Sequence, residues 1–544
     1  MALLLGCSWS TVFVSFSVAA ALLGALVLIY IWFFYVDIPK IKGIPELAGG
    51  ELLAGHLYQL GEDHATTAEK WSSKYGWPVF QLRMGYRRAI MLNSFDSAYQ
   101  FLVKNQSATI DRPWFYTFHG IVSATSAATI GTSPWNDRTK KQRRVVGSFT
   151  TAPSIQRLRP MLDLETCAVI SGLYYDSQGG DIEIMPHVYQ KRLSLNLMMM
   201  FCYGKRFATV TDPLLLQILS DANTISSFRS TNSNPQDFIP HLRYTVANKR
   251  TETAKVVRER RDKWLATMLE SVNDSITQRV TPKQSVAEML LRDSQEGLTE
   301  LDIKTILGGL MSGGFETVFS TMIITIGVLS TPEGQMMQKK AYEDILSVYE
   351  SPEQAFEMCL AEEKSAYVAA LAREALRFYP PLKLLPARQT CKEFVYQGAV
   401  IPKGVLIYTN TQAVNRDKAT YGPDADQFVP ERWMDKERDI PAPYQFAFGA
   451  GGRMCTAVNF SNRVLYAMLL RLIVSFEITE SKEMPANTHY IDYKEDPAAQ
   501  NAIASDFKVR IKPRNPEMLE RCFEQSQERS VQAMPDLPVE PLKR

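Results

Sequence analysis

The segment FAFGAGGRMCTA at residues 446–457 is the stretch that decides how the chain is interpreted. Gly449, Gly451 and Gly452 lie within four positions, and glycine lets a backbone approach a flat ligand closely. Cys455 follows directly, and an apolar helical pattern runs over residues 458–474. Backbone N–H groups and the dipole at a helix N-terminus would lower the pKa of this thiol. Three interpretations of Cys455 stay open at this point: a nucleophile, a ligand for iron, or an inert buried cysteine.

The run Phe448-Gly-x-Gly-x-Arg453-x-Cys455 resembles the haem-binding loop of the cytochrome P450 family, a highly specific motif. The family usually has glycine two residues after the cysteine, where this chain has Ala457. The resemblance implies the cytochrome P450 fold, mainly α with a minor β region. It also implies haem b as cofactor, Cys455 as the axial thiolate ligand of the iron, and Arg453 as a contact of a haem propionate.

Glu374, Arg377 and Arg432 resemble the buried triad of the same family. Glu374 and Arg377 are three residues apart, so both charges share one face of a helix predicted over residues 361–378. A solvated surface pair is the alternative, and such a pair contributes little to stability. If the three are buried they must satisfy one another. The resemblance implies a structural role for them on the haem side of the core.

Glu316 and Thr317 follow two adjacent glycines in the middle of a long helix predicted over residues 299–330. Each glycine in a helix interior costs about 0.5–1 kcal/mol relative to alanine, so Gly313 and Gly314 need a reason. Close helix packing is one reason, and room for dioxygen in a kinked or widened turn is the other. Glu316 and Thr317 resemble the family's acid–alcohol pair, which implies that they are catalytic and relay protons to dioxygen. Val318 stands where many members carry a second hydroxyl.

Several basic residues are candidates for binding the haem propionates. Arg388 resembles the family's propionate-binding arginine, and its planar fork suits a carboxylate. The resemblance also places Trp135 at the cofactor. Trp135 begins a predicted basic helix. The family often has arginine four residues after this tryptophan, whereas this chain has Thr139. Three residues of that helix stay open for the role: Arg138, Lys140 and Arg143. The basic stripe is otherwise a solvated face, or a dock for an acidic electron donor.

The N-terminal segment has no charge before Asp37. Residues 11–36, TVFVSFSVAAALLGALVLIYIWFFYV, are long enough to cross a hydrocarbon core of about 30 Å as one helix. A cleaved signal peptide would have a positive start and a shorter apolar run. Lys40 and Lys42 follow the span, which favours a cytosolic catalytic part. The predicted organisation is a membrane anchor at 1–36, a Pro/Gly linker at 37–50, a haem-thiolate catalytic domain at 51–513 and a mobile polar tail at 514–544.

Composition narrows the function further. The net charge is +2, so a nucleic-acid partner held by bulk charge is not expected. The seven cysteines form no C-x-x-C pair and the six histidines are scattered, which argues against a zinc site and fits a reducing compartment. Beyond the helices, the pattern predicts a hairpin over 79–92, a long irregular loop over 106–134 and a strand–turn–strand around residues 402–404.

The function implied by the resemblance is that of a haem-thiolate monooxygenase anchored in the endoplasmic reticulum membrane, facing the cytosol. It would insert one oxygen atom of O2 into an apolar, aromatic or polyketide-like small molecule, within fungal secondary metabolism. No nucleotide-binding fingerprint is visible, so electrons from NADPH must come through a separate cytochrome P450 reductase. Residues 131–144 look like fungal members of the phenylacetate-hydroxylase type, and the substrate is expected at the 106–134 loop and Phe315. The alternatives are a phenol-coupling enzyme, a haem isomerase or dehydratase, and a haem carrier without turnover.

Overall fold

The computed structural model describes residues 9–125, 130–209, 211–231, 233–244, 249–278, 285–292 and 297–539, and for 9–15 and 31–34 the backbone only. Helices dominate this part of the chain, as predicted. The α-helices are α1 Trp9–Phe34, α2 His64–Tyr75, α3 Phe95–Tyr99, α4 Asp137–Phe149, α5 Ala152–Gln156, α6 Arg159–Asp176, α7 His187–Tyr203, α8 Pro213–Ser227, α9 Lys249–Thr277, α10 Val286–Arg292, α11 Glu300–Ser330, α12 Pro332–Val348, α13 Pro352–Met358, α14 Ala366–Phe378, α15 Thr411–Val414, α16 Lys418–Tyr421, α17 Val458–Ser475 and α18 Pro516–Ala533.

The minor β region consists of three small sheets. Its strands are β1 Val79–Met84, β2 Arg87–Leu92, β3 Arg388–Gln389, β4 Phe394–Tyr396, β5 Ala399–Ile401, β6 Leu406–Thr409, β7 Phe476–Glu480 and β8 Val509–Pro513. The largest sheet has the order β1-β2-β6-β3, with β2 and β6 parallel, and the other two are the pairs β4-β5 and β7-β8. The predicted hairpin over 79–92 is confirmed as β1-β2. Gly85 at its turn has φ +55°, and a Cβ there would collide with the backbone of Phe238.

The strand–turn–strand predicted around residues 402–404 is wrong in its pairing. The hairpin in this region is β4-β5, and its two-residue turn consists of Gln397 and Gly398, both with positive φ. Such a turn matches the twist of the paired strands. Pro402 lacks the N–H that a ladder requires. The segment after β5 therefore leads into β6, which belongs to the four-stranded sheet.

The central helix α11 organises the core. It begins where predicted, with a capping box in which Thr299 Oγ1 accepts from Asp302 N at 3.2 Å and Asp302 Oδ2 accepts from Thr299 N at 3.0 Å. Its most extensive neighbour is α7, and it also packs against α12 and α17. Among the residues whose side chains are described, α11 is the one helix long and apolar enough to cross a membrane. Because most of it is buried inside the protein, it is a core helix.

The helix that carries Glu374 starts later than predicted. It begins at Ala366 and not at residue 361, because Ser365 caps it by accepting a hydrogen bond from Val368 N at 3.2 Å. Ser365 Oγ in turn donates to Asp344 Oδ2 of α12 at 2.5 Å. The helix start is therefore fixed by its neighbour.

The prediction of a mobile polar tail is wrong for most of residues 514–539. The helix α18 packs against α6 and buries one face, whose members are Met518, Leu519, Cys522, Phe523, Ser526 and Ser530. Their spacing of three and four residues forms one helical stripe beneath a charged outer face. Ser526 Oγ and Arg529 Nε both donate to Asp163 of α6, at 2.8 and 2.9 Å. Residues 540–544 lie outside the described part.

The N-terminal helix α1 is apolar on every described side. All side chains from residue 16 to residue 30 are exposed, including Leu22 and Leu26. Exposed leucine on all faces of a helix is unusual in water. The exit segment is held by the fold, since Arg87 Nε donates to Asp37 Oδ2 at 2.7 Å. The role of α1 as a membrane anchor stays a prediction.

Candidate functional site

The sequence motifs meet at one cavity of about 260 Å³. Its walls come from the middle of α11, the segment 447–457, residues 130–132 and the chain from residue 381 to Arg388. Cys455, Thr317, Arg388 and Arg453 all line it. The fold thus brings together residues that are more than 130 positions apart along the chain.

The cysteine loop is shaped by hydrogen bonds and by glycine. Cys455 N donates to Phe448 O at 2.9 Å, and Ala457 N donates to Cys455 Sγ at 3.3 Å. Gly451 has φ +59°, and a Cβ there would collide with Leu102 O. Burial raises the pKa of Cys455, while the Ala457 N–H and the Arg143 charge lower it. The expected lowering of this pKa by the helix is therefore outweighed by desolvation, because α17 begins three residues beyond the sulfur.

Five arginines line the cavity; four of them, Arg112, Arg143, Arg388 and Arg453, act electrostatically on one another, and the fifth is Arg229. Burial, with the charges of Arg453 and Arg143, lowers the pKa of Arg388 to about 9, and burial with Arg112 and Arg143 lowers that of Arg453 to about 8. The pKa of Arg112 is lowered well below its usual value for the same reasons. Guanidinium groups stay charged in proteins. The lowered pKa values therefore mean that several positive charges are buried together without enough anions to neutralise them.

Unpaired donor atoms also indicate a site for an anionic ligand. Arg388 Nη1 and Arg453 Nε and Nη1 are buried without a hydrogen-bond partner in the described part of the chain. Hydrogen bonds to backbone carbonyls hold the guanidinium groups in place: Arg453 Nη2 donates to Ser133 O at 2.7 Å, and Arg112 Nη1 donates to Ala387 O at 3.0 Å. A flat group with two carboxylates would fill these vacant donors. The residues present therefore fit a haem beside Cys455.

The structure distinguishes the three basic candidates on α4. Arg138 Nε forms an ion pair with Asp302 Oδ1 at 2.5 Å, and Lys140 is half-exposed and pairs with Asp137. Arg143 alone of the three lines the cavity, and its Nη2 donates to Met454 O at 2.7 Å. Trp135 does not line the cavity and lies against the guanidinium of Arg453, 5.3 Å from its ring centroid. It therefore positions Arg453.

Sequence reasoning missed Arg112. It follows Asp111 in the irregular 106–134 segment, without a periodic pattern or a match to a motif that would single it out. Its position depends on carbonyl groups more than 270 residues later, at Pro386 and Ala387. The Asp111-Arg112-Pro113 sequence in a long loop is the only signal, since such loops are often functional.

The two glycines of α11 serve different purposes. A Cβ on Gly314 would collide with Met198 Sδ of α7, whereas a Cβ on Gly313 meets nothing within 4 Å. Gly314 thus allows close helix packing and Gly313 leaves open space on the cavity side. The helix is α-helical from Glu300 to Ser330, so the expected widened turn is absent from it. Thr317 lines the cavity, and its Oγ1 donates to Gly313 O at 2.7 Å.

Glu316 faces away from Thr317. It is buried, lines a smaller adjacent cavity of about 70 Å³, and its Oε2 accepts a hydrogen bond from Asn501 Nδ2. Its Oε1 has no partner in the described residues. Burial raises the pKa of Glu316 to about 7, against the lowering effects of Arg229, Ser226 and Asn501. Asn501 lines the main cavity, so it connects the carboxyl group to that space.

The predicted triad is assembled and fully buried. Arg377 Nε and Nη2 donate to Glu374 Oε2 and Oε1 at 2.8 and 2.6 Å, and Arg432 Nε lies 3.4 Å from Oε1. Val429 N and Trp433 Nε1 also donate to the same carboxylate, at 2.8 and 2.9 Å. All three charged side chains have 0% exposure. The arrangement ties residues 415–433 to α14, because Arg377 and Arg432 also bind carbonyl groups of that segment.

The segments expected to meet the substrate lie at two different cavities. Within the 106–134 loop, Arg112, Ile130, Gly131 and Thr132 line the main cavity, and residues 126–129 lie outside the described part. Phe315 instead lines the adjacent small cavity with Phe118. The loop contains a π-helical turn at Tyr116–Val122 that presents Phe118 there.

Comparison with known proteins shows the family of the chain. The family described as Cytochrome P450 matches residues 45–492. The chain is 38% identical to phenylacetate 2-hydroxylase of Emericella nidulans, covering 92% of this chain and 96% of that protein. It is 34% identical to 3-hydroxyphenylacetate 6-hydroxylase of the same organism, covering 88% and 90%, and 31% identical to a cytochrome P450 monooxygenase of Mycosarcoma maydis, covering 88% and 87%. Membership implies a haem-thiolate cofactor and oxidoreductase activity. The chain belongs to the cytochrome P450 monooxygenase family.

Proposed function

We propose that this protein hydroxylates a small aromatic substrate, using dioxygen and electrons from NADPH. The observation that carries the proposal is the cavity in which Cys455, Thr317 and four arginines meet, two of which, Arg388 and Arg453, have vacant donors. Two relatives are named as hydroxylases of phenylacetate and of 3-hydroxyphenylacetate. An arylacetate is accordingly the substrate class to test first. The place of the reaction in secondary metabolism stays a prediction.

Cys455 is the residue that would hold the haem iron, and Arg112, Arg143, Arg388 and Arg453 would hold its propionates. When bound, the haem supplies the oxidation chemistry, and the thiolate favours O–O cleavage. The Ala457 N–H and the Arg143 charge stabilise the anionic sulfur, as their effects on its pKa show. Trp135 keeps Arg453 oriented. Glu374, Arg377 and Arg432 have a structural role beneath this loop.

Thr317 and Glu316 divide the proton transfer between them in this proposal. Thr317 Oγ1 lies on the cavity wall, and its hydroxyl would deliver a proton into the cavity by turning from its hydrogen bond with Gly313 O. Glu316, with a pKa of about 7, exchanges protons at neutral pH, which suits a general acid. Asn501 contacts Glu316 and lines the main cavity. The amide itself carries no proton, so transfer between Glu316 and Thr317 would pass through water in that cavity.

Two surface features support the proposed partner and the proposed location. The exposed or half-exposed cations of α4 include Lys140, Lys141 and Arg144, and Arg143 joins this helix to Met454 next to the cysteine. A basic face close to the cofactor suits an acidic reductase domain, since complementary charge speeds encounter. The apolar helix α1 would anchor the protein in the endoplasmic reticulum membrane with the catalytic part in the cytosol.

The function is tested with full-length, haem-loaded protein, NADPH–cytochrome P450 reductase, NADPH and phenylacetate under labelled dioxygen. We expect a monohydroxylated product that carries the label. Cys455→Ser should lose the thiolate-type spectrum of the reduced carbon monoxide complex and the product. The matched control is Cys391→Ser, because Cys391 is a half-buried free cysteine away from the cavity. Product formation by Cys455→Ser at the wild-type rate contradicts the assignment.

The proton route has its own matched pair. Thr317→Ala should divert electrons from product to hydrogen peroxide, whereas Thr325→Ala should not. Thr325 makes the same bond to the helix backbone, with Oγ1 donating to Thr321 O at 2.6 Å, and it is buried away from the cavity. The ratio of product to NADPH consumed is the measurement. An unchanged ratio in Thr317→Ala removes the threonine from the route.

A further inference from the structure

Arg229 is a cation at the wall of the cavity that the haem-binding residues do not use. It follows α8 and lines the cavity together with Gly313 and Thr317 of α11. It also borders the small cavity that contains Phe118 and Glu316. Its guanidinium lies over the ring of Phe118, 4.8 Å from the centroid. The charges that act on Arg229 are those of Glu316 and Arg261, whereas the four arginines near Cys455 act on one another.

No fixed anion of the described chain neutralises Arg229. Its Nε is buried without a hydrogen-bond partner, and no carboxylate in the described residues forms an ion pair with it. Burial and the nearby Arg261 lower the pKa of Arg229. Arginine is rarely buried unless it is paired. A folded protein therefore gains from a ligand that brings an anion to this position.

Among the described residues, Glu316 is the carboxylate whose charge acts on Arg229, and it is a weak counter-ion. Its Oε2 is engaged by Asn501, and its pKa of about 7 leaves it partly neutral at physiological pH. Glu316 also serves the proton route in the proposed function, so its charge changes during turnover. Arg229 thus lacks a permanent partner.

We propose that Arg229 binds the carboxylate of the substrate and makes the cavity selective for small aromatic acids. This inference rests on the proposed function and names the residue that would recognise the carboxylate of its aromatic substrate. The planar guanidinium fork matches a carboxylate in a bidentate contact. The ring is accommodated by apolar lining residues, which include Ile130, Met198, Leu310, Val318 and Leu385. Few polar groups in an apolar pocket are sufficient to orient a small ligand.

The rival interpretation is that Arg229 only stabilises the ionised form of Glu316. In that case Arg229→Gln would change the pH dependence of turnover but would not discriminate between charged and neutral ligands. The two interpretations therefore separate in a binding experiment that varies the charge of the ligand and keeps its shape.

The experiment titrates full-length, haem-loaded protein with three acid–amide pairs and follows the change in the haem absorption spectrum. The pairs are phenylacetate and phenylacetamide, benzoate and benzamide, and 3-phenylpropionate and 3-phenylpropionamide. In the wild type, at least one acid should bind more tightly than its amide. Arg229→Gln should weaken binding of that acid by about 10- to 100-fold and leave its amide unchanged. Arg229→Lys should retain part of the preference, because it keeps the charge.

The matched control is Arg261→Gln, which removes a positive charge from the wall of the adjacent small cavity, where Arg261 pairs with Asp262 at 2.7 Å. It should leave the acid preference intact. The reduced carbon monoxide spectrum verifies that each variant is folded around its haem. The proposal is overturned if the wild type prefers no acid over its amide, if none of the acids binds, or if the preference survives in Arg229→Gln.

Product analysis separates this inference from the proposed function. If an acid binds through Arg229 but phenylacetate is not hydroxylated, the carboxylate anchor stands and the arylacetate reaction is rejected. If phenylacetate is hydroxylated equally well by Arg229→Gln, with an unchanged KM, the reaction stands and the anchor is rejected.

Discussion

Replacing Glu374 by glutamine is the sharpest test of how the cysteine loop is supported. The carboxylate has 0% exposure and faces two guanidinium groups, those of Arg377 and Arg432, with the same exposure. An amide keeps the shape but leaves the buried Arg377 without its anion, while Arg432 retains Asp424, whose Oδ1 lies 3.1 Å from its Nη1. Breaking a buried ion pair in this way costs about 3–5 kcal/mol, which is a large part of a total stability of about 5–15 kcal/mol.

The matched control is Glu252→Gln. Glu252 also pairs with a cation three residues later on its helix, Lys255, at 2.8 Å, but both side chains are solvated. Such a pair contributes about 0.3–0.5 kcal/mol. Denaturant unfolding of the two variants and the wild type, followed by circular dichroism, gives the difference in free energy. The fraction of protein that retains haem should also fall in Glu374→Gln and not in Glu252→Gln.

A loss of stability in Glu374→Gln no larger than that in Glu252→Gln would refute the reasoning. It would mean that the two guanidinium groups are satisfied by backbone carbonyls and, for Arg432, by Asp424. Arg377 does donate to Asn415 O, Ala425 O and Gln427 O, at 2.7 to 2.8 Å, so this outcome has a clear structural meaning.

Three further changes test other parts of the structure. Gly313→Ala should raise the thermal unfolding temperature, because alanine is favoured over glycine in a helix by about 1 kcal/mol, while Gly314→Ala should lower it through overpacking of about 1–3 kcal/mol. Burial raises the pKa of Glu316 from 4.5 to about 7. Between these two pH values the folded protein holds a proton on Glu316 that the unfolded chain has released, so the free energy of unfolding falls as the pH rises. Glu316→Gln should remove about 2–3 kcal/mol of that fall, measured by denaturant unfolding at about pH 4.5 and about pH 8, and an unchanged slope would contradict the shift. Phe523→Ala should cost about 3–5 kcal/mol in denaturant unfolding, against about 0.5 kcal/mol or less for the exposed Val531→Ala, and equal small losses would mean that α18 is dispensable.

Local sequence patterns predicted the secondary structure best where the residue itself sets the backbone conformation, as at a helix cap or a tight turn. The capping pair Thr299 and Asp302 gave the start of α11, and Gly85 gave the first hairpin. Patterns failed where a neighbouring element decides the outcome. The start of α14 depends on Ser365 and its contact with Asp344, and α18 is helical because its narrow apolar stripe meets α6.

The residues of the site also fall into two groups, those that short motifs predict and those that only the tertiary structure identifies. Cys455, Arg453, Arg388 and the Glu374–Arg377 pair were found from short motifs, because each motif holds its chemistry within a few residues. Arg112 and Arg229 were not found, since each is a single arginine in an irregular segment. Their positions become informative only when partners from distant parts of the chain surround them.

By itself, the sequence determined the family, the cysteine that is proposed to bind the cofactor and the apolar N-terminal helix, because these depend on residues that are adjacent along the chain. Only the tertiary structure decided which of Arg138, Lys140 and Arg143 faces the cavity, which of two glycines leaves open space, and that Glu316 and Thr317 point to different cavities. The physical reason is that the direction of a side chain and the partners of a buried charge are set by packing between helices, which the linear order of residues does not encode.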